Sequence, residues 1–277
     1  MQSCYSVIPA DLNKVPPFPA VAARLLSLLS SKDVEVAEVA ELISTDAALT
    51  ARLLQHVNSA MYRFKQPVTT VSDTIALLGL DKTRQLTVMN AAAGYAARAP
   101  KNAELQSCWQ HSLATAILAD EIAKACGEFT KIVFAAGILH DIGRLALMVV
   151  YPKEYTQAIR GAEGRYLDLL DFEREQFGID HAEAGRVLAE NWKLPAEFLV
   201  IAGRHHDPCE GSELDLLRII HVACRLADAL GFCVVPPREE IAIGTILESL
   251  PPGAARNLHG DAEELRAQVE RHIRKIV

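Results

Sequence analysis

A histidine and an aspartate stand side by side at His140-Asp141, inside the apolar run Ala135-Ala136-Gly137-Ile138-Leu139-His140-Asp141-Ile142-Gly143-Arg144-Leu145. The flanks mark this run as core, where a carboxylate is costly unless it is paired, hydrogen-bonded or bound to a metal. An imidazole nitrogen beside an anionic oxygen suits a divalent cation. Successive side chains on a helix diverge by about 100°, so the two reach one ion only at a bend or a helix end. Gly143 is the nearby residue expected to supply that irregularity. The competing reading makes Asp141 a helix cap and His140 a satisfied core histidine. Beyond this pair, His111, His181, His205, His206 and Asp228 each lie beside core positions of a long helical segment. Helices in a bundle can bring such residues together across the core. Their spacings are long, and no zinc-finger or EF-hand motif is present.

The elements that would carry these residues are helices. Half of the 277 residues are hydrophobic and only 6% are aromatic. Apolar residues recur at helical rather than alternating spacing, which predicts an all-α protein. Pro16-Pro17-Phe18-Pro19 forbids a helix before Ala20, and Val21, Leu25, Leu28 and Leu29 then form one stripe. Ser44-Thr45-Asp46 is expected to cap a third helix, Ser72 the fourth, and Gly79 to end that fourth helix with a left-handed residue. Residues 14–100 read as a bundle of about five helices joined by short loops. A second part, residues 101–235, carries helical spacing through Leu105–Ile122, Ile132–Tyr151, Leu167–Phe177, His181–Trp192 and Leu216–Leu230, with Pro195 as a first-turn residue of the helix ending at Arg204. Pro236-Pro237 sets off a tail, residues 236–277, of two helices that either pack on the domain or mediate a dimer. Trp109 and Trp192 read as core or interface residues, and Glu173 and Glu175 as a solvated face. Asn58, Tyr62, Arg63 and Phe64 form a polar and aromatic loop, read either as a packed connection or as a partner surface.

Composition excludes several classes. The net charge is −7 and no basic stripe is present, so no nucleic-acid partner is expected. The cluster Arg271, His272, Arg274 and Lys275 suits a helix C-terminus instead. The six cysteines (Cys4, Cys108, Cys126, Cys209, Cys224 and Cys233) are scattered without a C-x-x-C, as expected of free thiols in a reducing compartment. No signal peptide is evident, and the apolar runs, such as Leu145–Tyr151, read as too short to span a bilayer. The expectation is a soluble cytoplasmic protein without a membrane partner.

Gly137-Ile138-Leu139-His140-Asp141-Ile142-Gly143 resembles the HD signature of the HD superfamily of metal-dependent phosphohydrolases. Trp109-Gln110-His111-Ser112 looks like its first histidine, and Asp228 in Arg225-Leu226-Ala227-Asp228-Ala229 like its closing aspartate. The likeness is closer to one branch, the HDOD domain. It is carried by Pro17-Phe18-Pro19-Ala20-Val21, by Ile43 to Leu54, by Asn58-Ser59-Ala60-Met61-Tyr62, by Pro67 to Ile75 with Leu78-Gly79, by Asp180 to Gly185, and by His205-His206-Asp207-Pro208. It covers roughly residues 14 to 235.

The resemblance implies an HDOD fold, with a helical part over residues 14–100 packed on an HD-like half. It implies that His111, His140, Asp141 and Asp228 hold one metal, and that His181 with His205 or His206 holds a second, bridged by Asp141. Arg144, where related HD-GYP enzymes carry a lysine, would meet a substrate phosphate with a different geometry. Mixed nitrogen and oxygen ligands favour iron, manganese, cobalt, nickel or zinc over calcium. No Gly-Tyr-Pro follows His205-His206, which argues against cleavage of cyclic di-GMP. Two functions remain. One is a regulatory protein of bacterial signal transduction that binds a signalling protein or a nucleotide. The other is a metal-dependent phosphohydrolase. No receiver, kinase, GGDEF or DNA-binding segment is recognisable, so input and output are expected to come through another protein.

Overall fold

Prolines and polar caps decide where the chain turns. A computed structural model describes residues 12, 15–29, 34–59, 62, 64–97, 99, 101–127, 132–165, 169–207, 214–236, 242–251 and 262–276. After the extended Pro16–Pro19 segment come α1 (Ala20–Leu29), α2 (Val36–Ser44), α3 (Ala47–Val57), α4 (Val71–Leu78) and α5 (Leu80–Ala96). Asp46 caps α3 as expected, accepting from Leu49 N–H at 3.0 Å. The cap of α4 is Thr70 rather than Ser72. Asp73 lies three residues on from Thr70, where its backbone N–H and its carboxylate both meet the Thr70 hydroxyl. Gly79 ends α4 at φ +82°, a conformation open to glycine at little cost.

The second half begins with α6 (Ala103–Cys126), the longest helix among the described residues. It continues through α7 (Val133–Leu139), α8 (Ile142–Val150), α9 (Pro152–Arg165), α10 (Leu169–Phe177), α11 (His181–Asn191), α12 (Ala196–Arg204) and α13 (Leu216–Ala227), which passes into one π turn, Asp228–Phe232. The tail supplies α14 (Ile243–Leu247) and α15 (Ala262–Ile276). Among the described residues there is no strand. Pro195 is the N-cap of α12 rather than a first-turn residue, because its ψ of 150° is extended. The apolar stretch Val133–Val150 has the length and hydropathy of a membrane span, longer than the sequence reading allowed. It is 89% buried within the fold and bent at its middle, so packing among helices accounts for its apolarity.

α6 is the axis of this half, flanked by α7 and α13 and covered on another side by α15. The tail therefore packs on the domain, burying Leu265 and Val269. α5 joins the halves: it touches α1, α3 and α4 on one side and α7 and α8 on the other. Trp192 seals the same junction, stacked on Phe18 and edge-on to Tyr95, with ring centroids 5.2 Å away in both cases. In the loop after α3, the Asn58 amide donates to Val68 C=O and accepts from Val68 N–H, closing the loop from within. That is the packed-connection reading for Asn58; Arg63 lies outside the described residues.

Candidate metal centre

The continuous helix that would separate His140 from Asp141 is broken there. α7 stops at Leu139, α8 starts at Ile142, and the two residues form the turn between them. Gly143 does not make this bend; it is helical, inside α8. Its service is to close packing: a Cβ at Gly143 would lie 1.9 Å from the His181 carbonyl oxygen and 2.6 Å from Gly185 N in α11. Gly137 does the same on the other side, where a Cβ would lie 2.4 Å from Ala116 Cα in α6. The two glycines flank the pair and let α6 and α11 approach closely, bringing His111 and His181 to it.

Four histidines are then fixed in the same way. His111 Nδ1 donates to Phe232 C=O at 3.1 Å, His140 Nδ1 to Gly137 C=O at 2.7 Å, and His205 Nδ1 to Ala202 C=O at 3.0 Å. His181 Nδ1 donates to the Glu173 carboxylate at 2.6 Å. Each acceptor fixes the tautomer that leaves Nε2 with a bare lone pair, which is how ligating histidines are prepared. These Nε2 atoms converge on Asp141. Its Oδ1 lies 3.3 Å from His181 Nε2 and 3.2 Å from His205 Nε2; its Oδ2 lies 3.6 Å from His111 Nε2 and 3.7 Å from His140 Nε2. Two ligand groups result, each with its donor atoms within 4.8 Å of one another: Asp141, His181, His205 and His206, and His111, His140 and Cys224.

The donor set fits a cation. His111 and His140 Nε2 face each other at 3.3 Å, and His181 and His206 Nε2 at 2.9 Å. Lone pairs opposed at such distances repel unless a proton or metal sits between them. Among the described residues, Asp141 Oδ1 and His205 Nε2 are buried without a hydrogen-bond partner, a costly state for a carboxylate. Burial alone would raise Asp141, but the Arg144 guanidinium beside it outweighs that and holds the carboxyl well below the usual range. Burial, with neighbouring histidines, holds His140 and His206 well below ordinary histidine values, so both are neutral and able to ligate. Glu173 is also held low: burial opposes this, and His181 and Arg144 override it. Two carboxylates against one guanidinium leave this core a net negative charge.

The structure brings together His111, His140, Asp141, His181, His205 and His206, and sets the other two expected residues apart. Asp228 lies behind His111, its Oδ1 3.3 Å from Nδ1, on the ring edge away from the converging Nε2 atoms. Arg144 is turned inward. Its Nε donates to Asp141 Oδ2 at 2.7 Å, its Nη1 lies 3.9 Å from Glu173, and its side chain is 8% exposed. A guanidinium enclosed with two carboxylates is their counter-ion rather than an open phosphate contact.

Three residues escaped the sequence reading. Glu173, expected on a solvated face, is fully buried, accepting from His181 N–H and Nδ1–H and from the Tyr155 hydroxyl at 2.6 Å. Its position four residues from both Leu169 and Phe177, on their stripe, was the available clue; Glu175 is exposed as expected. His221 Nδ1 donates to His205 C=O at 2.8 Å, tying α12 to α13. Cys224 lies 3.5 Å from His111 Nε2. Both share a face of α13 with Asp228, at spacings of seven and four.

Comparison with known proteins agrees with this architecture. An HDOD domain protein of unknown function from Geobacter sulfurreducens is 26% identical, with a TM-score of 0.75 over 95% of this chain and 91% of that one. A presumed phosphohydrolase from Shewanella amazonensis SB2B is 25% identical, with a TM-score of 0.67 over 96% and 94%. An uncharacterised protein of Treponema pallidum is 26% identical over 203 residues, which are 71% of this chain and 38% of that protein's length. The chain thus spans well under half of that relative. The HDOD domain profile matches residues 15–208, more than half of the sequence, and the chain belongs to the HDOD domain family.

Proposed function

We propose that the protein is a signal-transduction module whose HD centre holds metal as an internal structural element, and that it acts by binding a signalling protein or a nucleotide. The observation that carries this reading is enclosure. His111, His140, Asp141, His181 and His205 are each at most 2% exposed, and the arginine available for phosphate is committed to Asp141 and Glu173. Two cavities among the described residues, at α5–α6, about 550 Å³ beside Trp109, and at α9–α10, about 440 Å³ beside Tyr151, are lined by none of these residues.

The test is elemental analysis of untagged protein and of Asp141→Ala, followed by a screen of phosphomonoesters and cyclic dinucleotides. The expected result is metal in the wild type, lost in the variant, and hydrolysis no faster than the variant's. Hydrolysis by the wild type that Asp141→Ala abolishes would overturn the reading. One observation favours the phosphohydrolase alternative: His206 is only partly buried and is the open edge of its ligand group, in a fold shared with a presumed phosphohydrolase. A divalent ion there would polarise phosphate and acidify a bound water. His181, His205, His206 and Asp141 would hold it, and Glu173 would keep His181 in its ligating tautomer.

A further inference from the structure

We propose that Cys224 is a thiolate ligand, completing with His111, His140 and Asp141 a four-coordinate site in place of the closing aspartate. The inference rests on the metal-holding reading above and deepens it. A tetrahedral ion with metal–nitrogen bonds of about 2.05 Å and a metal–sulfur bond of about 2.3 Å sets an N···N edge of about 3.3 Å and an N···S edge of about 3.6 Å. The corresponding distances are 3.3 Å between His111 and His140 Nε2 and 3.5 Å between His111 Nε2 and Cys224 Sγ. Asp141 Oδ2 lies 3.6 and 3.7 Å from the two imidazoles, close to the N···O edge of about 3.4 Å that a fourth ligand would show. Asp228 lies at the wrong edge of His111 to ligate. It is instead placed to hold that ring, as carboxylates behind ligating histidines do.

The chemistry follows from the sulfur. On binding, the Cys224 S–H bond breaks, its proton leaves to solvent and the sulfur lone pair forms the metal–sulfur bond, so one proton is released per ion. A thiolate favours zinc, cobalt or iron(II) over manganese or magnesium. Four protein ligands leave no coordination position for water, which is the mark of a structural rather than a hydrolytic site. The two halves of the centre therefore differ: one is sulfur-bearing and closed, the other is held by Asp141 Oδ1 and three histidines, with His206 at its edge.

The experiment is cobalt(II) loading of the full chain, read by absorption spectroscopy, with X-ray absorption on the same wild-type sample as a measurement independent of any variant. The expected result is a near-ultraviolet thiolate-to-cobalt charge-transfer band and a sulfur scatterer at about 2.3 Å. The band should vanish in Cys224→Ser while cobalt at the other site remains, and it should persist in Asp228→Asn. Bound cobalt without the band or the sulfur scatterer, or a band that survives Cys224→Ser, would overturn the thiolate and leave the metal-holding reading standing. Wild-type protein that takes up no cobalt, zinc or iron would overturn both.

Discussion

Glu173 shows how much of the centre depends on a side chain outside it. The carboxylate orients His181 from behind, anchors the Tyr155 hydroxyl and balances Arg144. Glu173→Gln presents an amide N–H where three donors now meet oxygen, and leaves Arg144 one negative partner short. We expect a stability loss of about 3–5 kcal/mol, the usual cost of breaking a buried charged pair. Metal affinity should fall about 10–100-fold, as when a partner behind a ligand is lost. Thermal melts and a metal titration check both, with the exposed Glu175→Gln expected within about 0.5 kcal/mol of wild type. Unchanged affinity would mean that His181 needs no orienting partner. The residues that converge, His111, His140, Asp141, His181, His205 and His206, are legible in sequence, because histidine and aspartate in apolar surroundings are conspicuous. Glu173 was not, because a glutamate among Asp171, Arg174 and Glu175 looks like surface unless its phase against Leu169 and Phe177 is followed.

At the scale of elements, the centre exists because helices approach unusually closely, and glycines decide how closely. The sequence located the helices well, since proline, asparagine and aspartate punctuate them. It does not disclose which helices meet: Gly143 suggests a local bend, whereas its partner is the backbone of α11. Gly143→Ala is expected to push α8 from α11, costing at least the ~1–3 kcal/mol typical of overpacking. Backbone atoms, unlike side chains, cannot step aside. Because the displaced contact includes His181 itself, metal binding should weaken alongside the melting temperature. Gly244→Ala, where a Cβ meets nothing within 4 Å, is the control. A Gly143→Ala protein that binds metal normally would show that the helices adjust without moving the ligands.

For the whole molecule, two neutral imidazoles held in the core, His140 and His206, make the fold acid-sensitive. His140 and His206 are held well below 6.5, chiefly by burial. The unfolded chain takes up protons on them below about pH 6.5 while the folded chain does not, so this stability is complete above that pH and lost as the pH falls. Asp141, held below its ordinary value of 3.8 by Arg144, and Glu173, held below 4.5 by His181 and Arg144, both despite burial, add a loss of the same sign in stronger acid. The melting temperature of metal-free protein should be level above pH 6.5 and decline below it, most steeply under about pH 4. A level profile down to pH 5 would mean that these imidazoles are charged in the fold. One helix gives this core a longer reach. α11 begins at His181, among the converging imidazoles, and ends against Trp192, wedged between Phe18 and Tyr95 of the other half. Eleven helical residues make a rod about 16 Å long, with one tip among the converging imidazoles and the other against the aromatic rings of the other half. The helix thereby ties the His181 end of this core to the seam between the two halves.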